Sequence, residues 1–151
     1  MRPNITRTAL VLAAVGGLAG TIAAGQPEIT RAGLESALAP TFANLYVQQA
    51  GILGIPGVTT ATIGATTSCD KGGPNVADTG AGPNWICMMS FTDNHGQHQD
   101  AAKFEVTVHT DATYVAGGPS RIIGLATITD AHGHDVPNPV FEFDGVIATG
   151  T

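Results

Sequence analysis

The chain has 151 residues, enough for one domain with a real core. It carries 6 basic and 12 acidic residues, a formal charge of −6. With no basic cluster, that balance argues against nucleic acid and anionic membrane surfaces as partners.

Residues 1–25 read as a targeting segment. Arg2 and Arg7 supply a positive start, and Thr8 to Gly25 is uncharged and mostly apolar. Ala23-Ala24-Gly25 offers small residues to a signal peptidase. The alternative is an uncleaved N-terminal anchor, since the run is just long enough to span a bilayer. Gly16, Gly17 and Gly20 make it a weak helix of low hydrophobicity, so a cleaved signal peptide fits better. The only membrane contact would come through residues 8–25, if uncleaved. Removing Arg2 and Arg7 leaves Arg31, Lys71, Lys103 and Arg121 against the 12 acidic residues, a formal charge of −8.

Residues 26–151 read as a single domain. The stretch 27–53 is helical, with Pro27 and Glu28 suited to a first turn. Ile29, Leu34, Leu38, Phe42, Leu45 and Tyr46 form an apolar stripe at helical spacing, the face expected to pack on a sheet. Pro40 interrupts the pattern and predicts a kink or two short helices. Gly51, Gly54 and Pro56-Gly57 close the region.

From residue 58 the period changes to two, and the sheet is expected over 58–146. A short strand is predicted near Ala61–Ser68. Trp85, Cys87, Met89 and Phe91 alternate with Ile86, Met88, Ser90 and Thr92. Phe104, Val106 and Val108 alternate with Glu105, Thr107 and His109, the cleanest half-buried strand in the chain. Thr113–Ala116 extends this after a turn, and Gly117-Gly118-Pro119 breaks it. Ile122–Thr129 and Val140–Asp144 are the remaining strands. Pro137 and Pro139 put the last one at an edge. Helices first and antiparallel strands after give an α+β fold, a helical region packed on a sheet of four to five strands.

Cys69 and Cys87 bracket a loop rich in glycine and proline and are the only cysteines. An even cysteine count in an exported chain predicts a disulfide, and the spacing is no Cys-x-x-Cys metal or redox motif. The histidines are the only metal candidates. His95 and His98 sit in one turn, and His132 and His134 in a second turn of similar sequence. Asp93, Asp100, Asp130 and Asp135 lie nearby, and imidazole with carboxylate suits zinc or copper. The alternative is solvated turns shaped by Asp and Gly. No Gly-x-Ser-x-Gly occurs, and Ser36, Ser68, Ser90 and Ser120 lie beside no recognisable base. His109 reads as a surface partner of Glu105. Ile86 and Met88, with Ile122 or Ile123, would make an apolar patch on the outer sheet face unless the loop 70–84 folds over them.

One order of parts carries a resemblance. The helical region is followed by Cys69-x-x-Gly-Gly, Trp85-x-Cys87 and the Phe104–His109 strand. Tyr114-Val-Ala-Gly-Gly-Pro119 comes next, and Asn138-Pro-Val-Phe-Glu-Phe-Asp-Gly145 closes the series. Over residues 40–146 this resembles small exported proteins of actinobacteria, of unknown function. The resemblance implies the same fold and export, and no activity, ligand or catalytic residue. In the proteins it resembles, a second cysteine pair often stands at the positions of Thr113 and Val146; this chain has neither, and the joint loss implies that those two positions pair with each other.

The first functional expectation is an exported, disulfide-stapled, non-catalytic binding or envelope interaction module, secreted or held in the cell envelope. Its protein partner is unknown, and no cofactor is implied. The alternative is an extracytoplasmic metal-binding protein using the histidine turns. A third reading is an enzyme whose site is assembled from residues far apart in the chain.

Overall fold

The computed structural model describes residues 25–148. The expected targeting segment lies outside these, apart from Gly25. No helix among the described residues is long and apolar enough to cross a membrane.

The first helix, α1, spans Arg31–Ile52. Pro27 and Glu28 do not form its first turn. They lead in as extended chain, because the next backbone groups are engaged elsewhere. Gly80 N–H donates to Ile29 O at 2.9 Å and Arg31 N–H to Asp78 O at 3.1 Å. The helix therefore starts at Thr30, whose Oγ1 accepts from Gly33 N–H and satisfies one free donor of the first turn. Pro40 does not split α1 in two; the helix is continuous through it. Pro40 and Ser36, whose carbonyl loses its donor, both lie on the exposed side, where solvent reaches the freed group. Leu34, Leu38, Phe42 and Tyr46 on the opposite side are buried and anchor the helix on both sides of the proline.

A single helical turn, α2 (Thr60–Ile63), takes the first part of the strand expected near Ala61–Ser68, and only its last residues, from Thr66, are strand. Thr59 and Thr62 exchange hydroxyl–amide hydrogen bonds as a capping box, and this local bonding overrides the β preference of a Thr-rich run. The strands β1 (Thr66–Asp70), β2 (Gly82–Thr92), β3 (His98–Val108) and β4 (Thr113–Gly117) follow as a meander. Then come α3 (Ser120–Ile123), β5 (Thr127–Thr129), β6 (Asp135–Pro137) and β7 (Glu142–Val146). Ile122–Thr129 is therefore not one strand. Gly124, at φ 93°, takes a conformation closed to other residues and separates α3 from β5. The final strand begins at Glu142, slightly later than expected, and Val140 is buried ahead of it.

The main sheet is antiparallel in the order β1-β2-β3-β4-β7, and β5-β6 forms a separate hairpin. This is an α+β fold, as the change of period predicts. β7 sits at the edge, with Phe143 opposite Ala116 and Tyr114 opposite Gly145. A Cβ at Gly145 would overlap the Tyr114 ring, so this close approach requires glycine.

The inner face of the sheet packs on α1. Phe42 is the hub, with ring centroids 4.8 Å from Phe91 and 5.5 Å from both Tyr46 and Phe104. Such tilted and edge-on contacts add to the area these rings bury. Trp85, Met89, Phe104 and Val106 complete the face, each at most 1% exposed.

Cys69 and Cys87 are bonded, facing each other across β1 and β2 with Cα atoms 4.0 Å apart. Cys69 N–H points away from β2 and donates to Glu35 Oε1 at 2.8 Å, so the pair is a non-hydrogen-bonded one, where side chains approach most closely. Thr113 faces Val146 in the same kind of position. Ile147 N–H donates to Ala112 O, the bond that flanks such a pair. The two positions that the resemblance couples are therefore cross-strand neighbours.

Two substitution experiments test this register. Val106→Asp should unfold the domain, since an unpaired charge would be buried at a position 1% exposed. Thr107→Asp, on the opposite face, should leave thermal unfolding nearly unchanged. Equal loss in both variants would mean the faces are reversed. The double variant Thr113→Cys/Val146→Cys should form a second disulfide on air oxidation, detected as the loss of two hydrogens by mass. In the chain-entropy picture it should add about 3–4 kcal/mol.

Candidate functional site

The alternation that sends Trp85, Cys87, Met89 and Phe91 toward α1 sends Ile86, Met88 and Ser90 to the outer face of the sheet. The register sets Met88 between Ser68 and Lys103, and Ile86 between Asp70 and Glu105. Val115 lies between Thr107 and Asp144. This face is open. Met88 and Val115 are each 37% exposed and Val146 is 67% exposed. Asp70, Glu105, Glu142 and Asp144 surround them with Lys103 as the one base, 3.7 Å from Glu105. Glu105 thus pairs with Lys103 rather than with His109. A shallow groove of about 500 Å³ lies at one end of the face, between Lys103, Glu105 and Glu142.

Two expectations about this patch change. Ile123 does not join it; α3 turns that side chain into the core, where it is 2% exposed, and Ile122 packs against the core as well. The loop after Cys69 does not cover it either. Lys71 N–H donates to Asp78 Oδ1, Lys71 Nζ donates to Thr79 O at 2.7 Å and Trp85 Nε1–H donates to Gly80 O. Arg31 reaches Asp78 at 3.5 Å. These bonds draw the loop to the start of α1.

The two histidine turns are built alike. Asp93 Oδ1 accepts from the N–H groups of His95 and Gln97, and Asp130 Oδ1 from those of His132 and His134. Gly96 and Gly133 take positive φ in the equivalent place. For Asp130, the His134 N–H leads in holding the pKa below the usual carboxylate range, with His132 assisting. For Asp93, burial pushes the pKa up, but the bonds from Gln97 N–H, the Gln99 amide and His95 N–H together outweigh it. Both folded pKa values are depressed, so this stabilisation is complete above the ordinary aspartate value. It is lost as pH falls through the lower folded values.

The imidazoles themselves face water. His95, His98, His132 and His134 are all exposed. His98 Nε2 lies 2.9 Å from Asp100 and His134 Nδ1 lies 3.5 Å from Asp130. The first turn docks on α1 through Asn94 N–H to Tyr46 Oη, and the second through Ala131 N–H to Ile52 O, further along the helix. Among the described residues, no three His, Cys, Asp or Glu side chains are grouped so as to hold an ion. Three of the four serines are also engaged. Ser36 and Ser90 hydroxyls donate to the carbonyls of Ala32 and Asp100, and Ser68 Oγ accepts from Arg31.

One polar cluster escapes sequence reasoning. Gln49, on the buried side of α1, and Asn138, ahead of β7, are 4% and 5% exposed. Gln49 Nε2 donates to Ile123 O at 2.7 Å and to Asn138 Oδ1 at 2.8 Å. Asn138 Nδ2 donates to the carbonyls of Ile123 and Leu125. These bonds clamp the turn after α3 onto the helix. The available signal was Gln49's place on the apolar stripe, three residues after Tyr46. Beside the clamp, α1, the first histidine turn and α3 enclose a polar cleft of about 410 Å³.

No known family, curated protein or solved structure matches the chain.

Replacing His95, His98, His132 and His134 together by Asn should leave stability within about ±0.5 kcal/mol, as for other surface changes. Zinc or copper should then raise the melting temperature of neither form. A metal-dependent rise of several degrees that disappears in the variant would assign the turns to metal binding.

Proposed function

We propose that this chain is an exported, disulfide-stapled binding module without catalysis, acting in the cell envelope or in the secreted fraction. It engages a protein partner through the outer face of its sheet. The observation that carries this reading is the open face itself. Met88, Val115 and Val146 stand in water on a sheet whose other side buries almost every apolar group. Exposed apolar side chains spread over one sheet face and interspersed with charge fit an interaction surface. The acidic rim of Asp70, Glu105, Glu142 and Asp144 favours a partner carrying basic groups around an apolar centre.

Export is supported by three features. The Cys69–Cys87 disulfide persists in an oxidising compartment. The first 25 residues have the composition of a signal peptide. The order of motifs resembles small exported actinobacterial proteins. The acidic charge leaves no surface for nucleic acid, and no step of the reading needs a cofactor.

The test uses the wild-type chain and a Met88→Lys/Val115→Lys variant as baits on the native cell envelope, with mass spectrometry of the retained proteins. Both positions are exposed, so the variant should melt as the wild type does. A partner held by the wild type and lost from the variant is the expected outcome. Identical sets of retained proteins would remove the outer face from consideration.

A further inference from the structure

We infer that the cleft beside the C-terminal half of α1 is a second site, independent of the sheet face, which binds a small zwitterion: a free α-amino acid with an apolar side chain. The inference starts from Gln49. Its Nε2 hydrogens both have acceptors, Ile123 O and Asn138 Oδ1, and this fixes the orientation of the amide. Its Oε1 takes no hydrogen bond from any described residue. Yet no side-chain polar atom among the described residues is both buried and unpaired. The oxygen of a glutamine only 4% exposed therefore opens into the cleft that Gln49 lines. A fixed acceptor open to a cleft is placed to take a donor from a ligand in exchange for water.

The charges on the walls define the rest. Asp93 stands on the wall made by the turn after β2, an anion at neutral pH. Arg121, on α3, also lines the cleft and belongs to none of the ion pairs among the described residues. A simple anion would meet Asp93 as a repulsive neighbour, and a simple cation would leave Arg121 unmatched. An α-amino acid answers both. Its ammonium donates to Gln49 Oε1 and faces Asp93, and its carboxylate takes the planar fork of Arg121. Leu53 and Ile128 also line the cleft and leave an apolar wall for the side chain. The volume of about 410 Å³ is within the range of small-molecule sites.

Two-dimensional NMR titration of the full chain decides the matter, with L-leucine, N-acetyl-L-leucine and L-leucinamide as probes. L-leucine should shift the Gln49 side-chain amide and the backbone amides of Asn94 and His95. Each analogue lacks one charge and should bind weaker by about tenfold or more. Arg121→Gln removes an exposed side chain with no bonds to lose, so it should keep the spectrum of a folded chain and weaken L-leucine by a similar factor. Asp93→Asn keeps the oxygen that His95 and Gln97 use but loses the Gln99 amide's acceptor, so its spectrum must first match that of the folded wild type; it should then weaken L-leucine likewise. Absence of any shift with L-leucine would overturn the proposal. So would equal binding of either analogue, or undiminished binding by both folded variants.

Discussion

The covalent closure of β1 onto β2 is the constraint on which the rest of the domain depends. β1 has five residues and lies at the edge of the sheet, paired on one side only. Between it and β2 runs a loop rich in glycine, whose free chain has much entropy to lose. The Cys69–Cys87 bond removes about 3 kcal/mol of that loss in the chain-entropy picture. Its effect reaches α1 through Glu35, which accepts from Cys69 N–H and from Arg31 Nε at 2.8 Å each. Arg31 in turn reaches Ser68 Oγ and Asp78. The N-terminal half of the helix is thus tied both to the stapled strand and to the loop the staple closes.

The two ends of α1 are held by different physics, and this separates the two candidate surfaces. Near its start, charge-assisted bonds at the sheet edge hold it to β1. Its middle rests on the aromatic contacts of Phe42. Near its end, the Gln49–Asn138 clamp draws in α3 and the chain before β7, and leaves a polar cleft beside it. One helix suffices to cover one side of the sheet, so the other side stays open. There Met88, Val115 and Val146 meet water among acidic neighbours.

Much of this architecture was legible in the residues. Period-two alternation in β2 and β3 assigned the inner and outer faces correctly, because one face of each strand is almost wholly apolar. The stripe of α1 was equally plain. The errors arose where a local bond outweighed a regional pattern. Thr59 and Thr62 made a helical turn from a β-like composition, and Gly124 divided an apparent strand. Pro40 was tolerated because its missing bond falls on the wet side of the helix, a fact that depends on what α1 packs against. The Gln49–Asn138 clamp was hidden because the partners lie far apart in the chain. A polar residue on an apolar stripe signals a need for partners without naming them.

The contact between the two ends of the domain has a bearing on how it folds. Gly33, in the first turn of α1, lies against Ile147, just past β7, and a Cβ on Gly33 would come within 3.1 Å of that side chain. The strands β1 to β4 join neighbours in sequence and can form as a meander with short loop closures. The helix is synthesised before all of them, yet the seat for its first turn is finished only when Ile147 arrives. Until then the apolar stripe of Leu34, Leu38 and Phe42 has an incomplete sheet to rest on. A chain emerging in order from a ribosome must therefore carry this stripe unburied in part until β7 and Ile147 are delivered. Closure of the core is set by the arrival of its last strand rather than by the helix that precedes the sheet.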